Sequence, residues 1–150
     1  MKPITMICFA EKAMKIYEDC CLPVCRAHGM NQTAFDVMMF LYNNPEYNTA
    51  RDICEIRGLK SGIASVAIEY LAKNGYLERT ADSHDRRKQR LLLTGKAVEA
   101  AQDGREAQKR FYEILSSGIS PDEMRLYEEI MERMAVNVME TAVKRKENKK

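Results

Sequence analysis

No apolar run in this sequence approaches the ~18 residues that a bilayer-crossing helix needs, and the start Met1-Lys2-Pro3-Ile4-Thr5 lacks the layout of a secretory signal. These two absences set the expectation of a cytoplasmic protein with no membrane partner. Tryptophan is missing, and His28 and His84 are the only histidines. The chain holds no glycine-rich phosphate loop, no His-Glu-x-x-His and no Gly-x-Ser-x-Gly. No nucleophile, base and orienting group stand at a spacing that supports catalysis, so the sequence is not read as an enzyme. Neither an internal repeat nor a low-complexity linker divides the 150 residues, which read as one domain, 1–150, with enough chain for a buried core. A net charge of +2 is too small to announce a polyanionic partner by itself. The five cysteines, an odd number, fit a reducing compartment better than a disulfide framework.

What is present is organised around residues 49–94. Thr49 can cap a short helix, with Asp52 favouring its positive end, and Gly58 is expected to close it. A second helix is predicted from about Lys60 to Asn74, with Ile63, Val66 or Ala67, Tyr70 and Leu71 at helical spacing and Gly75 as its stop. Two helices joined by a tight glycine-containing turn form a helix-turn-helix, whose second helix can lie in a DNA major groove. Residues 76–80 and 89–94 then suit two short strands, joined by a polar hairpin tip. That hairpin carries Arg79, Arg86, Arg87, Lys88 and Arg90 against Asp82 and Asp85. Such a cationic hairpin suits phosphates and the narrow minor groove.

On either side, the spacing predicts a first helix from near Thr5 to Cys25, with Phe9, Ala13, Ile16, Cys20 and Val24 on one face and Pro23 kinking or ending it. Asn31 can cap a second helix over about Gln32–Asn43. Thr94 can cap a long helix to about Leu115, whose polar middle, Gln102 to Arg110, suggests a bridging rather than a buried helix. Ser120, Pro121 and Glu123 together mark the start of a last helix, on which Met124, Tyr127, Ile130, Met131, Met134, Ala135 and Val138 form a stripe that needs a partner. The basic run Lys144 to Lys150 reads as a frayed, solvated end.

Gly58-Leu59-Lys60-Ser61, then Tyr70-Leu71-Ala72-Lys73-Asn74-Gly75-Tyr76-Leu77, then Asp85-Arg86-Arg87 and Leu93-Thr94 resemble the MarR family of winged-helix regulators in order and spacing. The fold class expected is therefore mainly α with a small β-hairpin wing. A winged helix-turn-helix core over 32–94 would be flanked by dimerisation helices at 5–28 and 95–146. The resemblance implies a homodimeric transcriptional regulator of double-stranded DNA, a repressor released by a small-molecule effector, with no cofactor. Dimeric helix-turn-helix proteins set two recognition helices about one DNA turn (roughly 34 Å) apart, on a pseudo-palindrome.

By position, the expected groove contacts are Lys60, Ser61, Gly62 and Ser65, with Gly62 permitting close backbone approach. Val66, where the family often has arginine, is read either as a thymine-methyl contact or as core. Thr33, Thr49 and Arg51 are expected at phosphates, which position a protein without reading sequence. The resemblance further implies that Arg87 enters the minor groove and Asp85 orients the hairpin, with Arg79, Arg86 and Lys88 beside them.

Two other readings stand beside this one. Cys21, Cys25 and His28 would share a face of an unbroken helix and could hold zinc, and Cys20 and Cys21 could sense oxidants if exposed. Buried thiols are the commoner outcome, and Cys8 and Cys54 read as structural. A winged helix can also serve as a protein–protein contact, its wing meeting an acidic partner. The methionines are expected mainly on core faces.

Overall fold

Asn31 starts the central helix of the fold, and the chain builds outward from it. The computed structural model describes residues 3–81 and 89–147. Its elements are helix α1 (Pro3–Ala27), α2 (Gln32–Asn43), α3 (Ala50–Glu55), α4 (Ser61–Lys73), strands β1 (Leu77–Ala81) and β2 (Gln89–Leu93), then α5 (Gly95–Leu115) and α6 (Pro121–Glu147). The chain forms two units, Met1–Phe111 and Tyr112–Lys150.

In the first unit the Asn31 side chain accepts from the Ala34 amide at 2.8 Å, satisfying one of the orphan donors at the start of α2. Seven residues of α2 are buried: Ala34, Phe35, Val37, Met38, Met39, Phe40 and Leu41. Helices α1 and α4 and strand β2 pack on it, and α3 packs on α4 and β2. Thr49 and Asp52 form a reciprocal capping box at the start of α3. Helix α3 ends at Glu55, before Gly58, which sits in the following turn with φ +79°. The two strands pair antiparallel from Leu77↔Leu93 to Ala81↔Gln89.

The structure corrects four expectations here. Helix α1 runs through Pro23 to Ala27. Proline forfeits only its own amide's bond, and four further residues continue the helix. The buried stripe of α4 is Ala64, Ala67, Ile68 and Leu71 rather than the set containing Ile63 and Val66. The polar middle of α5 hides a buried edge, because Ala100, Ala101, Gly104 and Ala107 all face the core. A β-carbon at Gly104 would stand 2.4 Å from the Met39 sulfur and 3.1 Å from Phe35, so a side chain there would have to displace the Met39 thioether. Finally, Met6, Met14, Met131, Met134 and Met139 are exposed, leaving Met30, Met38, Met39 and Met124 as the buried methionines of the described chain.

The turn between α1 and α2, at His28–Gly29, is held from the far side of the unit. The Tyr76 hydroxyl donates to the His28 carbonyl at 2.9 Å, and the Tyr70 hydroxyl donates to the Gly29 carbonyl. Lys96 stands 4.2 Å over the Tyr76 ring.

In the second unit Ser120 and Glu123 repeat the capping-box chemistry. The Ser120 amide donates to the Glu123 carboxylate at 2.9 Å, and the Glu123 amide donates to the Ser120 hydroxyl oxygen at 3.4 Å. The serine hydroxyl and amide hold the Glu123 carboxyl below its ordinary range. Along α6, Leu126, Tyr127, Ile130, Met131, Met134, Val136, Val138 and Met139 are exposed within the chain.

Candidate nucleic-acid interface

With Ala64, Ala67, Ile68 and Leu71 turned inward, the helical repeat turns Ser61, Gly62, Ser65, Val66 and Glu69 outward. Lys60 occupies the N-cap position with no side-chain cap, and it too is exposed. The structure thus brings Lys60, Ser61, Gly62 and Ser65 together on one open face. Thr33 comes near them from the first turn of α2, because Asn31, Thr33, Gly62, Ile63, Val66 and Ala67 line one open cleft of about 380 Å³.

The other expected contacts carry prior engagements. The Thr49 hydroxyl donates to Asp52 at 2.7 Å and accepts the Asp52 amide at 3.1 Å, so its hydrogen is already given to the capping box. Arg51 is largely exposed and pairs with Glu55 at 3.0 Å, an i, i+4 surface pair of the kind that contributes little to stability. Arg79 on β1 pairs with Glu69 on α4 at 2.8 Å, tying the hairpin to the helix and neutralising the one carboxylate on the helix's outward face. Arg90 donates to the Asn48 side chain at 3.1 Å. Asp85, Arg86, Arg87 and Lys88 lie outside the described residues.

Ile63 is what sequence reasoning misplaced, and Val66, left open there between a thymine-methyl contact and core, lies outside the core. At 46% and 68% exposure they are not core, although their spacing is compatible with it. The signal that separates them is size. Alanines at 64 and 67 allow the close approach of α4 to α2 and α3, and leave the larger side chains outside.

A second hollow lies on the same unit, between α1, α2 and α5. It measures about 450 Å³ and is open to solvent, with Met14, Tyr17, Met39, Phe40 and Phe111 among its apolar walls and Asp36, Asn43, Arg57 and Gln108 among its polar groups. Tyr17 and Phe111 meet edge-on at 5.4 Å. The Asp36 carboxylate accepts from Gln32 at 2.9 Å and from Arg57 at 3.2 Å. Burial nevertheless pushes the Asp36 carboxyl upward, outweighing the Arg57 charge. Burial likewise raises the Tyr17 hydroxyl. Nothing local in the sequence marks this hollow, whose lining is drawn from residues as far apart as Ala10 and Phe111.

The cysteine cluster takes a different form from the one its spacing suggested. Cys20, Cys21 and Cys25 are buried, and His28 lies beyond the end of α1, with its Nε2 2.8 Å from Asp103. Among the described residues no three metal-ligating side chains converge. Burial lifts the Cys21 thiol from an ordinary 9.0 to about 11, and also raises Cys25, opposite to what a reactive thiol requires. Cys8, read as structural, is instead exposed. No helix among the described residues is long and apolar enough to cross a membrane.

Residues 28–88 match the family model of the MarR family. No curated protein matches the chain. Among solved structures, a MarR transcriptional regulator from Methanosarcina mazei Go1 is similar over 93% of this chain and 99% of its own, with 21% identity and a TM-score of 0.79. A MarR family transcriptional regulator from Listeria monocytogenes, complexed with 26mer DNA, covers 94% of this chain and 92% of its own, at 15% identity and a TM-score of 0.82. The S. aureus MepR–DNA complex covers 87% of this chain and 96% of its own, at 14% identity and a TM-score of 0.58. The chain has the fold of MarR winged-helix proteins, and its helix-turn-helix segment matches that family in sequence.

Proposed function

We propose that this MarR-fold chain is a sequence-specific DNA-binding transcriptional regulator. It acts as a homodimer on a pseudo-palindromic operator, as a repressor that a small ligand releases. The observation that carries the reading is the outward face of α4. Lys60, Ser61, Gly62 and Ser65 are free of packing duty there, beside a hairpin whose sequence is rich in arginine. Ammonium, hydroxyl and bare-backbone positions on one helix face suit a major groove, where phosphates give affinity and base edges give specificity. The two similar proteins seen in complex with DNA support the same reading.

The exposed apolar face of α6, with that of the first half of α1 (Ile4, Ile7, Phe9, Met14), supports the homodimer. Such faces exceed what a lone chain ordinarily leaves bare. The hollow between α1, α2 and α5 is the effector site in this reading. Its apolar walls and single Asp36–Arg57 pair suit a small amphipathic molecule, which acts by binding one arrangement of the dimer better than another.

The test is fluorescence anisotropy with the DNA upstream of the protein's own coding region and with random duplex, at two salt concentrations. Preferential binding that falls steeply with salt is expected. Arg87→Ala should weaken it across sequences and lower the salt slope by about one. Absence of binding even at low salt would overturn the reading.

A further inference from the structure

The recognition helix leaves two large apolar side chains exposed. Val66 is 68% exposed, and Ile63, three residues earlier, is 46% exposed. Gly62, one turn before Val66, has no side chain, and nothing lies within 4 Å of where its β-carbon would be. Together they line, with Ala67 and the polar Asn31 and Thr33, a recess of about 380 Å³ open to solvent. Isolated apolar residues on a surface need no explanation. Two of them lining a recess on the one helix face that also carries Lys60, Ser61 and Ser65 do.

The chemistry around the recess selects its occupant. Lys60 is exposed and uncapped beside it, and hydroxyl donors flank it. Glu69, the carboxylate on the same face, is matched by Arg79 at 2.8 Å, so it does not oppose an approaching polyanion. A partner that is anionic overall yet presents small apolar groups among hydrogen-bonding edges is duplex DNA, whose major groove carries the thymine 5-methyl.

We propose that Val66, with Ile63 beside it, is a specificity-determining contact that reads thymine 5-methyl groups, and that Gly62 keeps the recess open for them. The proposal rests on the DNA-binding reading above and extends it to base preference. It replaces the hydrogen-bonding choice of an arginine at this position with a steric and apolar one. Serines specify weakly by comparison, because a hydroxyl can pair with several base edges.

Deoxyuridine makes the test selective, because it removes the methyl and leaves the hydrogen-bonding edge of thymine unchanged. A duplex is first selected by the protein from a random pool. Each of its thymines is then replaced singly by deoxyuridine, and affinity is measured by anisotropy. One or more positions per half-site should lose about fourfold, the factor for burying one methyl-sized group. With Val66→Ala the thymine duplex should weaken and the thymine-over-uracil ratio should fall towards one. Gly62→Val, which fills the recess, should lose the same discrimination. Each variant's thermal melt is compared with wild type, and an exposed Val66 predicts no shift.

Equal binding of thymine and uracil duplexes by the wild type would overturn the inference while leaving selective, salt-steep binding intact. So would discrimination that survives Val66→Ala. If the pool yields no preferred duplex at all, the DNA-binding reading fails and the inference falls with it.

Discussion

Helices α2 and α6 begin with equally clear start signals, Asn31 for one and the Ser120–Glu123 pair for the other, and both carry apolar side chains at helical spacing. Their fates differ. Helix α2 buries Phe35, Val37, Met38, Met39 and Leu41 inside its own unit, whereas Met124 is the buried apolar residue of α6 among those described. Periodicity states that a helix has an apolar face. It does not state whether the cover for that face lies in the same chain. In α2 the cover is internal and the face makes the fold; in α6 the same kind of face is left exposed, and in the proposed reading it is the surface a partner covers.

The comparison is broken most completely at α6. Ile130→Glu with Met134→Glu should leave the helix-turn-helix folded but abolish the proposed dimer. In sedimentation the mass should fall from twice 17.3 kDa to that value. A wild type that already sediments as one chain would remove the partner-surface reading.

Inside the first unit, Phe35→Ala should cost ~3–5 kcal/mol of unfolding free energy, the range for emptying a buried aromatic site. Gly104→Leu forces a side chain against Met39 and should cost about 1–3 kcal/mol by overpacking. Both are read by urea denaturation at one fixed protein concentration, because dimerisation adds its own stability. A Gly104→Leu protein as stable as wild type would mean that α5 does not press on α2.

Thr49→Ala removes the side-chain half of the α3 capping box and should cost about 1 kcal/mol in the same assay. Since its hydroxyl hydrogen is already engaged by Asp52, this variant should change DNA affinity less than Lys60→Ala does.

The smallest effect is a difference in rate. With iodoacetamide at neutral pH, Cys8 should label in the native protein, and Cys21 and Cys25 only after unfolding. The folded Cys21 value, about 11, lies above its ordinary 9.0. The thiol therefore stays neutral in both states at neutral pH and adds no pH dependence there. Its ionisation opposes folding only as pH climbs from about 9 through about 11. Rapid native labelling of Cys21 would reopen a thiol-sensing role.

Much of this architecture is legible in the sequence because its signals are local. Asn31, Thr49 and Ser120 cap through their own side chains. Gly29, Gly75 and Gly118 stop helices at positive φ, where other residues are strained. The unread parts depend on partners remote in sequence. Ala64 and Ala67 win the inward positions of α4 over Ile63 and Val66 because the gap to neighbouring helices is narrow, and no hydrophobic scale ranks alanine above valine. Gly104 and Ala107 form a packing edge so small that the charges around them mask it. The cysteines at 21 and 25 share a helix face, but only the fold decides whether that face meets water. At the candidate site Lys60, Ser61, Gly62 and Ser65 are exposed as expected, whereas the exposure of Ile63 and the engagements of Thr49 and Arg79 follow only from coordinates.

The two tyrosine hydroxyls at the His28–Gly29 turn have a mechanical consequence. They fasten the turn at the end of α1 to the segment that carries α4 and β1, and the second half of α1 is held further by Cys21 and Cys25 in the core. With 25 residues at 1.5 Å each, α1 is an arm about 37 Å long. A tilt of about 5° about its inner end sweeps the far tip through about 3 Å. Tyr76→Phe removes one of the two fastenings and should free the inner end of this long helix against the α4 segment.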